Sequence, residues 1–137
     1  HKFSVITMWD EWFHLYRKVL TEYKLESRCA SLRSINTRPD LEELLAGKEE
    51  VIFEKLEKES LKAIQEDGAD VIVLGSTTMH QSHGFLQQAL PVPVINPGLM
   101  SYKLCEIFLE TGLTHSKTAF PAPQQPNDQF ILSRVPD

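Results

Sequence analysis

The sequence is poor in the features that mark several large classes of protein. It has 137 residues and only two cysteines, which are far apart and lack metal-ligand spacing, so a disulfide scaffold is excluded. No apolar run is long enough to span a membrane, and no basic leader precedes an apolar stretch as in a signal peptide. The net charge is −5 without basic clusters, which argues against nucleic-acid binding. We therefore expect a cytoplasmic protein with neither a membrane nor a nucleic-acid partner.

Sequence signatures for cofactors and metals are also lacking. There is no glycine-rich dinucleotide fingerprint after the first apolar run, and no phosphate-binding loop with its lysine. His80 and His83 are three residues apart, but no Cys, Asp or Glu lies close in sequence to complete a metal site. The sequence therefore predicts no cofactor and no metal.

The residues that are present predict an α/β fold. The hydrophobic content of 42% is ordinary for a globular domain. Four short apolar runs are predicted as strands: residues 3–7, 28–35, 71–74 and 92–95. Segments of helical period lie between them, the clearest at residues 48–66. This alternation predicts a flavodoxin-like, doubly wound sheet of four parallel strands with helices on both faces.

Individual residues indicate where the helices begin and which faces they bury. Asp10 is predicted to cap the first helix, and Asn96 with Pro97 to start the last one. The predicted inner faces are, in chain order, Trp12, Leu15 or Tyr16, Val19 and Tyr23; then Phe53, Leu56, Ser60, Ala63 and Ile64; then Leu104, Ile107 and Phe108.

The predicted organisation is one α/β lobe over residues 1–117 and an extended tail, rich in proline and glutamine, over residues 118–137. Residues 36–47 are predicted as a loop with one helical turn. In the tail, Phe120, Phe130 and Ile131 are expected to dock on a surface outside this chain.

The candidate site is predicted where the strands end. In an open parallel sheet, ligands bind beyond the carboxyl ends of the strands, near the point where the strand order reverses. Gly75 follows a buried strand and permits a sharp turn there. Backbone amides at such a turn, with the hydroxyls of Ser76, Thr77 and Thr78, can hold a carboxylate or phosphate. Serine and threonine are also good caps, and on chemistry alone capping is the stronger interpretation.

Six sequence words in the same order resemble the aspartate/glutamate racemase superfamily, and most closely its hydantoin-racemase branch. They are KFSVIT at residues 2–7, RCASLR at 28–33, EDGADVIVLG at 66–75, PVINP at 93–97, YKLC at 102–105 and GLTHSK at 112–117. The resemblance extends over nearly the whole chain.

The resemblance implies that this chain supplies only part of an active site. Family members consist of two similar flavodoxin-like halves that face each other, and each half usually offers one cysteine. One thiolate removes an α-proton and the opposite thiol returns one, without cofactor or metal. The chain resembles the carboxyl-terminal half, which would explain its abrupt start at His1. We therefore expect that an amino-terminal lobe is missing and that the isolated fragment is inactive. The sequence leaves open whether the protein forms a homo-oligomer.

The chain departs from the family pattern where the second cysteine is usual. Leu74-Gly75-Ser76 stands where the family usually has Leu-Gly-Cys. Oriented amides can lower the pKa of a thiol from about 8.5 towards neutrality, whereas an alcohol needs help from another group. Three interpretations follow: Ser76 relays a proton with help from the missing half, a single cysteine there performs one-sided chemistry as in arylmalonate decarboxylases, or the site binds without turnover.

Other family roles carry over to matching positions. Thr77 matches the residue that helps hold the substrate carboxylate in glutamate racemase relatives, and Thr78 lies where those enzymes carry a histidine. Thr7 and Trp9 match the loop that lines the pocket after the first strand of this half. The predicted catalytic residue is Ser76, and the predicted substrate-binding residues are Thr7, Trp9, Gly75, Thr77 and Thr78.

The leading hypothesis is a cofactor-independent racemase of a small amino acid, a hydantoin or a related carbon acid. A cofactor-free decarboxylase of the arylmalonate type and a non-catalytic ligand-binding lobe are the alternatives.

Overall fold

The four predicted strands pair into one parallel sheet. A computed structural model describes residues 1–38 and 52–124, together with residues 129 and 133. In it the strands are β1 (Phe3–Thr7), β2 (Cys29–Ser34), β3 (Val71–Leu74) and β4 (Val94–Ile95). They lie in the order β2-β1-β3-β4, and each neighbouring pair is parallel. The predicted fold class is confirmed, and the strand order reverses between β1 and β3.

Helices make the crossovers that parallel strands require. They are α1 (Phe13–Glu22), α2 (Phe53–Gln65), α3 (Ser82–Ala89) and α4 (Pro97–Thr111). Short 3-10 turns occupy Asp10–Trp12, Glu26–Arg28 and Thr77–Met79. Three of the helices cross between successive strands, whereas α4 follows the last strand.

The two faces of the sheet differ in how completely they are covered. Successive residues of a strand point to opposite faces. One face is buried in the main core, which includes Ile6, Ile72 and Leu74 of the strands, Leu56 of α2 and Leu86 of α3. On the other face, Val71 and Val73 are half-buried and α1 packs against β2. Helices therefore cover both faces of the sheet, as predicted, although the α1 side is covered less completely.

The first helix begins later than predicted and turns a different side inward. A 3-10 turn precedes it, and no side chain, including that of Asp10, caps either element. Leu20 is buried and Tyr16 half-buried, whereas Leu15 is 50% and Tyr23 67% exposed. The apolar spacing therefore predicted a helix correctly. The side chains that face the sheet, however, are those of Tyr16 and Leu20, which lie four residues apart on a stripe next to the predicted one.

The second predicted helix agrees with the structure over its described part. Leu56, Ser60 and Ala63 are fully buried, and Phe53 and Ile64 are half-buried, as the periodicity indicated. The chain leaves this helix through Gly68, whose φ of +74° is favourable only for glycine among common residues. Residues 39–51, which include most of the predicted loop and the start of the predicted helix, lie outside the described residues.

The fourth strand is shorter than the predicted residues 92–95. Pro93 has no N–H to donate to the ladder, so the paired segment begins at Val94. The Pro93 carbonyl still accepts a hydrogen bond from Ile72 N at 2.9 Å. The strand therefore keeps its place at the sheet edge despite its length.

The chain divides into two compact units, His1–Lys103 and Leu104–Asp137. In the second unit, the three residues predicted to form an inner helix face are 41–50% exposed: Leu104, Ile107 and Phe108. The prediction that these three residues form the inner face of the helix is therefore wrong. The helix ends before Gly112, whose φ is +65°, and Leu113 N donates to Phe108 O at 3.0 Å.

The tail is described only in part. It forms a turn at residues 117–119, and Phe120 is exposed. Phe130 and Ile131, which were expected to dock elsewhere, lie outside the described residues. Within the described part of the chain, no helix combines the length and apolarity that a membrane span needs.

Candidate functional site

The turn after β3 is built around Ser76. This residue is extended, with φ −144° and ψ 145°, and it precedes the 3-10 turn Thr77–Met79. Its Oγ accepts a hydrogen bond from Thr78 N at 3.3 Å and lies 2.8 Å from Thr78 Oγ1. Ser76 therefore caps the turn, as the chemistry of its side chain favoured, and its hydroxyl is already paired with that of Thr78.

Two backbone N–H groups at this turn have no acceptor among the described residues. The carbonyls of Ser76 and Thr77 accept from Met79 N and His80 N, both at 3.2 Å. In contrast, the N–H groups of Ser76 and Thr77 have no hydrogen-bond partner in the described parts of the chain. Ser76 is half-buried and Thr77 is exposed, so both amides lie near the surface. Because Ser76 is extended, the two N–H groups point to opposite sides of the chain, so they do not converge on one oxygen. Each can donate separately to a carboxylate or to a developing oxyanion.

A hydrogen-bond relay lies directly behind the turn. Tyr16 of α1 donates its hydroxyl to Gly75 O at 2.6 Å. The same hydroxyl lies 3.0 Å from Thr7 Oγ1 at the end of β1. Thr7 is fully buried, so its side chain reaches the turn through Tyr16 rather than by direct exposure. The relay joins the ends of β1 and β3, where the strand order reverses.

Gly75 is required by this close approach. A Cβ at this position would lie 2.8 Å from Tyr16 Oη, 3.0 Å from Thr7 Cβ and 3.1 Å from Ile6 O. Gly75 N also donates to Ile6 O at 2.8 Å, which continues the ladder between β1 and β3. Gly75, which the sequence indicated as the glycine of the turn, is therefore hydrogen-bonded through both its N–H and its carbonyl.

Two clefts meet at Thr77. The first is a mainly apolar groove of about 400 Å³ along the less covered face of the sheet, which runs from Phe3 and Val5 past Tyr16 to Ser76 and Thr77. The second has a volume of about 580 Å³, and Thr77, His80, Asn96 and Tyr102 are among its lining residues. The predicted turn is thus accessible from both sides.

The second cleft is shaped by the end of β4. Asn96 is buried, and its Oδ1 accepts from Gly98 N at 3.0 Å and from Leu99 N at 3.4 Å. The predicted cap of α4 is confirmed. Asn96 Nδ2 also donates to His80 O at 3.5 Å, which links the β4 end to the turn after β3.

The nearby histidines do not assist Ser76 in this structure. His83 Nε2 donates to Val94 O at 3.1 Å, which ties α3 to β4. His80 is exposed and lines the second cleft. Among residues 1–38 and 52–124, no basic side chain makes a hydrogen bond to Ser76. The described residues also contain no cluster of three or more His, Cys, Asp or Glu suited to a metal ion.

Trp9 stands apart from the turn. Its ring meets Trp12 edge-on, with centroids 6.4 Å apart and an interplanar angle of 70°. The Arg38 guanidinium lies 5.5 Å from the Trp9 centroid, in cation–π range. Thr37 N donates to Met8 O at 2.8 Å, so the loops after β1 and β2 run side by side. Trp9 lines neither of the two clefts at Thr77.

Neither cysteine lies at the turn. Cys29 is half-buried in β2, donates through Sγ to Ser31 O at 3.5 Å, and burial raises the pKa of its thiol. Cys105 is exposed on α4, within the second unit. A raised pKa opposes thiolate formation, so Cys29 has the properties of a packed small side chain.

Sequence reasoning missed Tyr16 as part of the site. It placed this residue only as an alternative to Leu15 on the inner face of α1. A signal was present, because a phenol on a stripe that packs on a sheet must find a hydrogen-bond partner. The sequence could not reveal that this partner is the carbonyl of Gly75, 59 residues away.

Comparisons with known proteins agree on one family. The sequence model of the family described as Asp/Glu/hydantoin racemase matches residues 1–105. A hydantoin racemase from Rhizobium meliloti is 32% identical over 120 residues, which are 85% of this chain and 47% of that protein. A hydantoin racemase from Pseudomonas sp. (strain NS671) is 28% identical over 116 residues, covering 85% of this chain and 45% of that protein.

Solved structures give the same result. The allantoin racemase from Klebsiella pneumoniae has a TM-score of 0.79 at 31% identity, covering 91% of this chain and 50% of that one. The allantoin racemase from Pseudomonas fluorescens has a TM-score of 0.76 at 28% identity, covering 93% of this chain and 53% of that one. The chain therefore spans about half the length of the relatives that it matches.

Proposed function

The chain belongs to the Asp/Glu/hydantoin racemase family, and from that premise we propose that it forms one side of the active site of a cofactor-independent racemase. The proposed substrate is a small carbon acid, with a hydantoin-type ring favoured over a free amino acid. This preference rests on the relatives, which are named as racemases of hydantoin or of allantoin, a related cyclic ureide. The observation that carries the proposal is the free N–H of Ser76 at the turn after β3.

The Ser76 amide suits the charge that racemisation creates. Removal of a proton next to a carbonyl moves negative charge onto the carbonyl oxygen, which becomes an enolate. Donors that are already oriented stabilise such charge more in the transition state than in the ground state. The proposed role of Ser76 N–H is therefore to hold the substrate carbonyl while the adjacent carbon loses and regains its proton.

Ser76 is the proposed proton-transfer residue of this side, although its own chemistry makes it dependent on other groups. Its hydroxyl pairs with Thr78 Oγ1 at 2.8 Å, and an alcohol is a weak acid near neutral pH. We therefore place the principal acid/base in the missing amino-terminal lobe, opposite this turn. In this arrangement Ser76 relays a proton, and Thr78 orients its hydroxyl.

The other predicted site residues take binding or supporting roles in this proposal. Thr77 lies where the two clefts meet and donates to the carbonyl or anionic end of the substrate. Gly75 lets Tyr16 approach the turn, and Thr7 supports Tyr16 from behind. Trp9, with Arg38 stacked on it, forms a wall after β1 outside the two clefts.

Proton exchange in deuterium oxide tests the proposed function directly. The full-length protein is incubated with allantoin, 5-substituted hydantoins, aspartate and glutamate, and the proton NMR signal at the α-carbon is followed. We expect this signal to disappear from a cyclic ureide faster than in a sample without protein. A wild-type protein that leaves every substrate at the uncatalysed rate would contradict the racemase proposal.

Substitution of Thr77 tests its assigned role in binding. Thr77→Ala should raise KM roughly 2- to 10-fold, because a hydrogen bond to an uncharged carbonyl contributes roughly 0.5–1.5 kcal/mol. Thr114→Ala is the matched control, since Thr114 is exposed and lines neither cleft. Equal KM values for the two variants would contradict the proposal that Thr77 binds the substrate.

A second candidate function is ligand binding without turnover. The observation that favours it is that no basic side chain of the described chain contacts Ser76. It predicts that ligand raises the Tm without proton exchange, and that Ser76→Cys introduces exchange. Carbon dioxide release from disubstituted malonates would instead identify a decarboxylase.

A further inference from the structure

Among the described residues, the Tyr16 hydroxyl makes the only hydrogen bond to the carbonyl of the Gly75–Ser76 peptide. We propose that Tyr16 is a positioning residue, which holds this peptide so that Ser76 N–H faces the substrate. The proposal rests on the proposed function, since it gives a purpose to the orientation of that amide. Nothing in the spacing of α1 indicated such a role, because Tyr16 lies on a face that otherwise packs apolar side chains.

The direction of the relay follows from its donors and acceptors. A carbonyl oxygen can only accept, so Tyr16 must use its single hydroxyl proton on Gly75 O, at 2.6 Å. The Tyr16 oxygen can then only accept from Thr7 Oγ1, at 3.0 Å. The chain of bonds therefore runs from Thr7 to Tyr16 to Gly75. Bonds arranged head to tail in this way polarise one another.

The planarity of the peptide carries the effect to the substrate side. In a trans peptide, the C=O of Gly75 and the N–H of Ser76 point in opposite directions. Because Tyr16 holds the carbonyl on the α1 side, the amide is held on the other side of the turn. Withdrawal of electron density towards Gly75 O also makes Ser76 N–H a stronger donor. A rotation of this peptide would present a carbonyl, which repels an enolate.

The surroundings leave the relay little freedom. Thr7 is 0% exposed, and Gly75 N is itself bonded to Ile6 O at 2.8 Å. Tyr16 is half-buried and lines the apolar groove next to Ser76 and Thr77. If the Tyr16 hydroxyl only anchored α1, its loss would lower the free energy of unfolding and leave kcat unchanged. If it orients Ser76 N–H, its loss would also raise the free energy of the transition state and lower kcat.

The test compares Tyr16→Phe with Tyr23→Phe in the full-length protein. Both remove one phenolic hydroxyl from the α1 region, but Tyr23 is 67% exposed. We expect Tyr16→Phe to lower kcat about tenfold with KM changed less than twofold, since loss of an oxyanion donor itself costs about 100-fold or more. Tyr23→Phe should keep the wild-type kcat. Equal kcat values for the two variants would overturn the proposal.

A measurement that needs no substrate separates this proposal from the proposed function. The amide ¹⁵N resonance of Ser76 should move upfield in Tyr16→Phe, because the Gly75 carbonyl loses its donor, and should stay in place in Tyr23→Phe. If the wild-type protein catalyses no exchange, this resonance alone decides the role of Tyr16. An unmoved Ser76 resonance would reject it whatever the activity.

Should Tyr16→Phe fail to fold, Thr7→Val acts at the other end of the same relay. It keeps the β-branched shape and removes only the hydroxyl that donates to Tyr16. We expect a smaller upfield movement of the Ser76 amide nitrogen in this variant. No movement there would contradict the relay.

Discussion

At the scale of single residues, Gly75 links the fold to the candidate chemistry. Its missing side chain lets the Tyr16 hydroxyl approach the β3 end, and its carbonyl receives that hydroxyl. The conformation of Gly75 does not require glycine through a positive φ. The requirement is one of space alone, and it can be tested by adding a single methyl group.

Gly75→Ala should destabilise the protein by about 1–3 kcal/mol, because the new Cβ would overlap Tyr16 Oη and crowd the Ile6 carbonyl. It should also lower activity by displacing Tyr16 from Gly75 O. The matched control is Gly84→Ala in α3, where a Cβ meets nothing within 4 Å. That change should stabilise the protein by roughly 0.5–1 kcal/mol. Urea unfolding of both variants measures the difference, and equal midpoints would show that the space behind Gly75 is not tight.

Cys29 illustrates how burial makes a thiol less reactive. Cys29 lies in a strand, where burial raises the pKa of its thiol and Ser31 O accepts its weak hydrogen bond. The proposal therefore takes no nucleophile or base from the cysteines of the described chain. The oxygen of Ser76 remains the candidate for proton transfer on this side.

At the scale of elements, the start of α4 fixes the second cleft. Asn96 ends β4, caps α4 through two backbone amides and contacts His80 O. One buried side chain thus joins the carboxyl ends of two strands. This is the kind of local signal, a cap followed by proline, that sequence reasoning finds reliably.

Asn96→Ala should destabilise the protein by about 1 kcal/mol, because two amides at the start of α4 lose their acceptor. Asn96→Asp keeps an acceptor oxygen and should retain most of the stability. Thermal or urea unfolding distinguishes the two substitutions. Equal losses for alanine and aspartate would mean that the cap contributes nothing and that only the contact to His80 matters.

At the scale of the whole first unit, an ion-pair network ties the sheet edge to the α2–β3 connection. Arg33 of β2 makes a bidentate contact with Asp67, at 2.6 and 2.9 Å, and a 2.7 Å contact with Glu66. Asp67 is 21% exposed, whereas Glu66 is 60% exposed. The hydrogen bonds from Arg33 hold the pKa of Asp67 below its usual value, with a further hydrogen bond from Ser31 acting in the same direction.

This shift predicts how stability depends on pH. A carboxyl whose pKa is lower in the folded state stabilises the protein above its unfolded pKa, about 3.9, and this contribution disappears as pH falls through the folded pKa. Asp67→Asn should therefore cost roughly 1.5–3 kcal/mol at pH 7, and the difference from wild type should shrink below about pH 4.

Glu66→Gln is the control for that measurement, because it removes an exposed carboxylate from the same guanidinium. Its cost should stay below about 1 kcal/mol. Urea midpoints at pH 7, 5 and 3 give the comparison. A loss for Asp67→Asn that is the same at all three values would show that charge on Asp67 does not stabilise the fold.

The sequence by itself determined the elements and the family. Strands β1 to β3 were predicted within one or two residues, because short apolar runs and helical periods are local patterns. The turn after β3 was recognised from a glycine followed by three hydroxyl residues. The ordered sequence words also indicated the racemase family, which the family model over residues 1–105 confirms.

Only the tertiary structure decided which side chains pack against and hydrogen-bond near the turn after β3. It showed that Thr7 is buried, that Tyr16 faces inward in place of Leu15, and that His83 is engaged by Val94 O. It also showed that α4 exposes the face predicted to be buried within its unit. These outcomes depend on contacts between residues far apart in the chain, such as Tyr16 and Gly75, and periodicity carries no information on which distant group will fill a given space.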